Sequence, residues 1–289
     1  MKIAAVLWRN RRWVAKIDDE EGKVFPFDIP ELQSQSGVIS LLQQTSTPQT
    51  LSGVGMSEVE LLAPIPLPAR NIFCVGKNYH EHAREFSSSG FDSSAVAGVI
   101  PKHPIIFSKV PESVVANNSD VMIDPKVSTA IDYEAELAVI IGKPGRGISK
   151  EQALDHVWGY AIINDVTARD MQGRHSQWLI GKSQDTFCPM GPWVVTSDSF
   201  DLNAASVRCF VNGEMRQNAR VTDLIFDIPT IIAALSEGIT LKAGDIIATG
   251  TPAGVGIGFN PPRYLQAGDR VRVEIDGIGA LENRFVHMN

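Results

Sequence analysis

The run Ile131-Asp132-Tyr133-Glu134-Ala135-Glu136-Leu137-Ala138-Val139-Ile140-Ile141 constrains this chain more than any other segment. Its β-branched and apolar residues predict a strand over residues 133–141. Side chains alternate along a strand, so Glu134 and Glu136 share one face, and Tyr133, Ala135, Leu137 and Val139 share the other. The apolar flanks predict that this strand is mostly buried. Two neighbouring carboxylates there repel each other and lose hydration, an arrangement that calls for a cation. Oxygen donors of this hardness favour magnesium, manganese or calcium over zinc. The same alternation also describes a solvated strand edge, and both readings stand at this point.

A third acid bears on the choice. A second apolar strand, predicted over residues 159–164, runs into Asn164-Asp165-Val166-Thr167-Ala168-Arg169-Asp170. Asp165 is expected where a buried strand reaches the surface, either presenting a carboxylate or capping a turn. Three carboxylates leave about three positions of an octahedral ion for water or substrate.

Further strands are predicted over residues 2–8, 12–18, 24–27, 193–196, 207–211, 245–249 and 270–275, with helices over 150–156, capped by Ser149, and 228–236. Residues 39–44 and 57–62 are expected as short helical turns. Pro64, Pro66 and Pro68 break regular structure and mark a boundary. The expectation is a mainly β (α+β) chain with few short helices: a small N-terminal β domain over residues 1–65 and a catalytic domain over 66–289. Ala243-Gly244-Asp245 and Ala267-Gly268-Asp269 read as one repeated turn. Residues 87–104, rich in Ser, Gly and Ala, form a loop long enough to carry function.

With 26 Lys plus Arg against 33 Asp plus Glu, the net charge of −7 argues against nucleic acid or an anionic membrane as partner. No apolar run approaches the ~20 residues of a membrane span. Cys74, Cys188 and Cys209 are far apart and odd in number, which fits reduced thiols and a cytoplasmic location.

Other groups carry chemistry. In Gly76-Lys77-Asn78-Tyr79-His80-Glu81-His82-Ala83-Arg84-Glu85, a tight turn at Gly76 followed by a helix puts His82 and Glu85 on one face. A carboxylate beside an imidazole fixes its tautomer and suits a general base, although an exposed charged helix face reads the same way. His80 is then a surface residue or a supporting one. Lys182 is a lone cation in an uncharged stretch, either an oxyanion stabiliser or a structural lysine. The strand and glycine-rich loop over residues 246–256 lack the Gly-Lys-Ser/Thr end of a P-loop and the helix of a dinucleotide site. Its N–H groups and the Thr251 hydroxyl suit a carboxylate instead.

In this order, GKNYHEHARE, IDYEAEL, GYAIINDVTARDMQ, QWLIGKSQDTFCPMGPW, DIIATGTPAGVG and GDRVRVEIDGIGALENRF resemble the fumarylacetoacetate hydrolase family from about residue 70 to the C-terminus. The resemblance implies a mixed β-sandwich roll, a homodimer, and magnesium or manganese (calcium also admissible) held by Glu134, Glu136 and Asp165. It implies a His82–Glu85 dyad on a lid helix and substrate contacts from Arg169, Gln172, Lys182, Thr251 and Tyr79. Phe107-Ser108-Lys109-Val110 departs from the family's Phe-Leu-Lys-Pro, and no role is carried over to Lys109. The implied substrate is a 2-oxo acid that chelates the ion. The implied reaction is hydrolysis of the C–C bond of an acylpyruvate such as fumarylpyruvate, leaving an enolate stabilised by the cation and Lys182. Decarboxylation or isomerisation of a dicarboxylic 2-oxo acid, of the kind met in aromatic catabolism, is the close alternative. A non-catalytic metal-binding paralogue is the third reading, and it has no use for His82, Glu85 and Lys182.

Overall fold

Alternating apolar residues in the first sixty positions form a meander in which Lys2–Trp8 pairs with Arg11–Asp18, and that strand with Lys23–Pro26. A computed structural model describes residues 1–88 and 100–288. The meander is continuous with the rest of the fold, because Lys2 and Ile3 pair with Val195 and Val194 of strand Cys188–Thr196. Among the described residues a 12-stranded mixed sheet results, beside a five-stranded sheet and a two-stranded ladder. The fold is mainly β, as expected.

Strand Ala135–Ile141 lies inside the large sheet, buried at every position. Leu137, Val139 and Ile141 enter the core shared with the five-stranded sheet, whereas Ala138 and Ile140 enter a second core on the opposite face. Each fully buried aliphatic side chain contributes roughly 1.5–3 kcal/mol, so the register of this strand is strongly determined.

Topology gathers the site at one end of the sheet. Ile246–Ala248 runs antiparallel to Ala135–Ile141 and parallel to Ile72–Gly76. The carboxyl ends of Ile72–Gly76 and Ile246–Ala248 therefore emerge beside the amino end of the acidic strand. Asn78 ties these ends together. Its Nδ2 donates to the Thr249 carbonyl at 2.7 Å and the Phe226 carbonyl at 3.0 Å, and its Oδ1 accepts from Phe226 N–H at 2.7 Å.

Several local expectations change. Lys150–His156 is a 3-10 helix with no side-chain cap from Ser149. Residues 57–62 divide into a 3-10 turn, Met56–Glu58, and a strand, Glu60–Leu62, that pairs with Lys2–Trp8. Strand Glu214–Arg220 is too polar to be read from hydrophobic pattern. Helix Ile228–Ser236 is present, with Asp227 accepting from Thr230 N–H as its cap. The two Ala-Gly-Asp turns share one geometry: Asp245 accepts from Lys242 N–H and Asp269 from Gln266 N–H, with Gly244 and Gly268 at φ 86° and 101°. Of the expected lid loop, residues 89–99 lie outside the described residues. No helix among the described residues is long and apolar enough to cross a membrane.

Removing the Asn78 side chain takes the partner from three backbone groups, one of them fully buried, so Asn78→Ala should lower unfolding stability by about 2 kcal/mol in urea titration. A loss below about 1 kcal/mol would mean that the two strand ends are held by other contacts.

Candidate active site

Antiparallel pairing sets Ala135 opposite Asn164. Regular pairing stops there. Glu134 N–H donates instead to Asn164 Oδ1 at 3.0 Å, and Asp165 N–H donates to the Glu134 carbonyl at 2.8 Å. Glu134 thus lies just before the strand rather than within the expected 133–141 run. A ligand atom from each of Glu134, Glu136 and Asp165 lies within 4.8 Å of the others, and all three residues are buried. Asp165, expected at the surface, is completely enclosed, and lysines hold its side chain.

The surrounding cations decide the charge on each acid. Lys182 Nζ donates to Glu134 Oε2 at 2.7 Å and Asp165 Oδ2 at 2.8 Å. Lys109 Nζ donates to Asp165 Oδ1 at 2.7 Å, and Arg169 pairs with Glu134 Oε1 at 2.7 Å. Burial pushes the Glu134 pKa up, but Lys182 and Arg169 outweigh it and hold the group at about 2. Burial pulls the Lys182 pKa down, and Asp165 with Glu134 more than reverses this, keeping the ammonium charged. Glu136 goes the other way: burial first, then Asp165 and Glu134, drive its pKa well above the ordinary value. Gly250 N–H donates to its Oε2 at 2.8 Å, whereas its buried Oε1 has no hydrogen-bond partner among the described residues. An orphaned carboxylate oxygen beside two further acids fits a divalent ion, which satisfies the oxygen and relieves the repulsion.

The imidazole arrives from above. Helix His80–Ser88 sets His82 Nδ1 3.3 Å from Glu85 Oε2, with His80 exposed. Gly254 N–H donates to both Glu85 oxygens, at 3.1 and 3.2 Å. A Cβ on Gly258 would lie 1.7 Å from Glu85 Oε1, and one on Gly254 1.9 Å from the Arg216 carbonyl. The helix can dock this closely only because the loop is glycine-rich. The loop does bind carboxylates, but they are the protein's own: Glu136 at Gly250, Glu85 at Gly254, and Asp132 at Gly256 and Ile257.

A narrow cleft brings together Glu134, Arg169, Gln172, Lys182, His82 and Thr251. Arg169 donates to Gln172 Oε1 at 3.1 Å. The Thr251 hydroxyl donates to the Ala135 carbonyl at 3.0 Å and accepts from Gln217 Nε2 at 2.8 Å, so its proton serves the acidic strand. Tyr79, expected at the substrate, is not among the cleft residues. Its backbone bridges Leu224, and its buried side chain borders a neighbouring pocket with Pro252, Ala253 and Asp223.

Sequence reasoning assigned no role to Lys77, Lys109, Asp132, Asn164 or Gln217. Lys77 lines the cleft from a left-handed backbone position, φ 53°. A charged residue within an apolar strand was a usable signal for Lys109. Gln217, in the polar run EMRQNAR, offered none.

Residues 71–286 match the family model described as fumarylacetoacetate (FAA) hydrolase C-terminal. This chain belongs to the fumarylacetoacetate hydrolase family. Among family members, the oxaloacetate tautomerase YisK of Bacillus subtilis (strain 168) is 52% identical over 231 residues, 80% of this chain and 74% of that protein. A fumarylacetoacetate hydrolase from Exiguobacterium antarcticum superposes with a TM-score of 0.83 at 39% identity, covering 100% of both chains. A 2-hydroxyhepta-2,4-diene-1,7-dioate isomerase from Mycobacterium marinum gives 0.78 at 32% identity, covering 100% of this chain and 99% of that one. Family members thus include hydrolases, isomerases and tautomerases, and the fold by itself does not choose between them.

The raised pKa of Glu136 has a sign that can be tested. Burial and the two neighbouring acids make the metal-free carboxyl hold its proton to higher pH than an ordinary glutamate, and a divalent ion competes with that proton. Ion binding should therefore release protons and tighten as pH rises through the range in which Glu136 titrates. Calorimetric titration in buffers of different ionisation enthalpy checks this, and proton release no greater than that of a Glu136→Gln variant would show that the Glu136 proton is not the one displaced.

Proposed function

We propose that this chain is a divalent-metal-dependent tautomerase of small dicarboxylic 2-oxo acids of the oxaloacetate class. One observation carries the reading: His82, backed by Glu85, and a buried ammonium, Lys182, border the same narrow cleft as Glu134 of the carboxylate triad. Keto–enol exchange needs these parts and no others.

Arg169 and Gln172 receive a substrate carboxylate. Lys182 donates to the C2 oxygen as negative charge develops there. His82 takes the C3 proton on Nε2, the nitrogen that does not face Glu85, while Glu85 at Nδ1 orients the ring. Returning that proton to the C2 oxygen completes the enol: a C–H bond is broken, an O–H bond is formed, and nothing is lost. Glu134, Glu136 and Asp165 would hold a magnesium or manganese ion, which would supply positive charge against the negative charge developing on the substrate. The hard oxygen donors suit these ions, and calcium as a third choice.

Acylpyruvate hydrolysis uses the same residues with an added water that His82 would activate. The 52% identical tautomerase and the small cleft favour the reaction that needs no water.

Metal-stripped protein reloaded with magnesium or manganese should accelerate the enol–keto exchange of oxaloacetate, followed by enol absorbance. A parallel assay presents acylpyruvates and unsaturated 2-oxo diacids with product identification. Cleavage of an acylpyruvate without tautomerisation of any diacid would move the conclusion to hydrolysis. Glu134→Ala should lose both metal and turnover. His82→Ala should keep the metal while kcat falls by about 100-fold or more, and an unchanged kcat would remove His82 from the mechanism.

A further inference from the structure

We infer that Asp132 is a positioning residue that fixes Arg169 for its substrate carboxylate, using the glycine-rich loop as its anchor. This rests on the reading above in one respect, that Arg169 receives a carboxylate.

The placement begins in the backbone. Ile131–Asp132 and Thr167–Ala168 form a two-stranded ladder with Asp132 opposite Thr167, and Arg169 N–H donates to the Ala130 carbonyl at 2.9 Å. Asp132 is wholly buried. Its Oδ1 accepts from Tyr133 N–H at 2.9 Å and Gly256 N–H at 2.6 Å. Its Oδ2 accepts from Ile257 N–H at 3.0 Å and Arg169 Nε at 2.9 Å. Three backbone donors thus hold the carboxylate, and the fourth bond goes to Arg169. The approach is close enough to dictate the loop sequence: a Cβ on Gly256 would stand 2.8 Å from Oδ1 and 2.5 Å from the Arg263 carbonyl.

The consequence for Arg169 is geometric. A guanidinium held at Nε keeps a fixed plane, which sets the direction of its Nη donors along the cleft that Arg169 lines. Without that hold, the nearest anion is Glu134, already 2.7 Å from Nη1. Arg169 would then collapse onto a metal ligand and present less to the substrate. Asn at position 132 tests this, since it keeps the shape, has a single acceptor oxygen, and turns an NH2 group towards other donors.

The experiment uses full-length, metal-loaded protein. Asp132→Asn should bind manganese within about twofold of wild type. Its KM for oxaloacetate should rise about tenfold, with kcat changed less than about threefold. Oxalate, a planar dianion presenting a carboxylate beside a second oxygen, should bind about tenfold more weakly by calorimetry. In an Arg169→Met background, Asp132→Asn should add no more than about twofold, because the two residues act as one unit. A general packing defect would instead multiply the two losses. If Asp132→Asn is unfolded at the assay temperature, Asp132→Glu takes its place, keeping the charge but displacing the carboxylate by one methylene. Wild-type oxalate affinity in either folded variant, or multiplying losses in the double variant, overturns the inference. Should wild-type protein bind oxalate but turn over no diacid, the tautomerase reading fails, and the oxalate cycle still decides the role of Asp132.

Discussion

Four buried carboxylates, Asp132, Glu134, Glu136 and Asp165, meet at one end of the large sheet, and most of the site follows from neutralising them. Buried charges need partners, because each ion loses several kcal/mol of hydration. Lys182, Lys109 and Arg169 bind Asp132, Glu134 and Asp165 directly. Among the described residues Glu136 has only a backbone N–H on one oxygen. The candidate metal site is the remainder of this charge pairing. Two of the groups that balance the acids, Lys182 and Arg169, hold the acidic corner together and also line the cleft.

The glycine-rich loop is the second organising element. It cradles no phosphate; its N–H groups hold three of the protein's own carboxylates, each with a different duty. Glu136 belongs to the triad, Glu85 to the helix carrying the imidazole, and Asp132 to Arg169. One short segment thereby sets the distances between the carboxylate triad, the His82 imidazole and Arg169. Its glycines answer to close approach as well as to backbone freedom: side chains at 254, 256 and 258 would strike a carbonyl or a carboxylate.

Strand periodicity made the common face of Glu134 and Glu136 legible, and helical periodicity did the same for His82 and Glu85. Both are local rules acting over two or three residues. Many of the strands and helix Ile228–Ser236 were legible for the same reason, whereas their assembly into one large sheet was not. A lysine in an apolar strand marked Lys109 as unusual, but its role depends on Asp165, 56 residues away. Gln217 lies on a polar strand of the other sheet, yet it binds Thr251 and Ala135. Tyr79 was named a substrate contact by the family resemblance, and the bridge of its backbone to Leu224 depends on residues 145 positions apart that no local pattern relates.

The amino-acid sequence by itself determined which residue types were available: an E-x-E strand, a strand-end Asp, an i,i+3 His–Glu pair, and glycines where backbone must approach backbone. Apolar flanks pointed to a buried acidic strand but left a solvated strand edge equally open, because alternating acids describe both. The tertiary structure alone decided which charges neutralise which, since that depends on strand order bringing residues 82, 109, 132, 165 and 182 to one corner. Pairing energies fall with distance and rise with burial, and neither quantity exists until the sheet has closed around them.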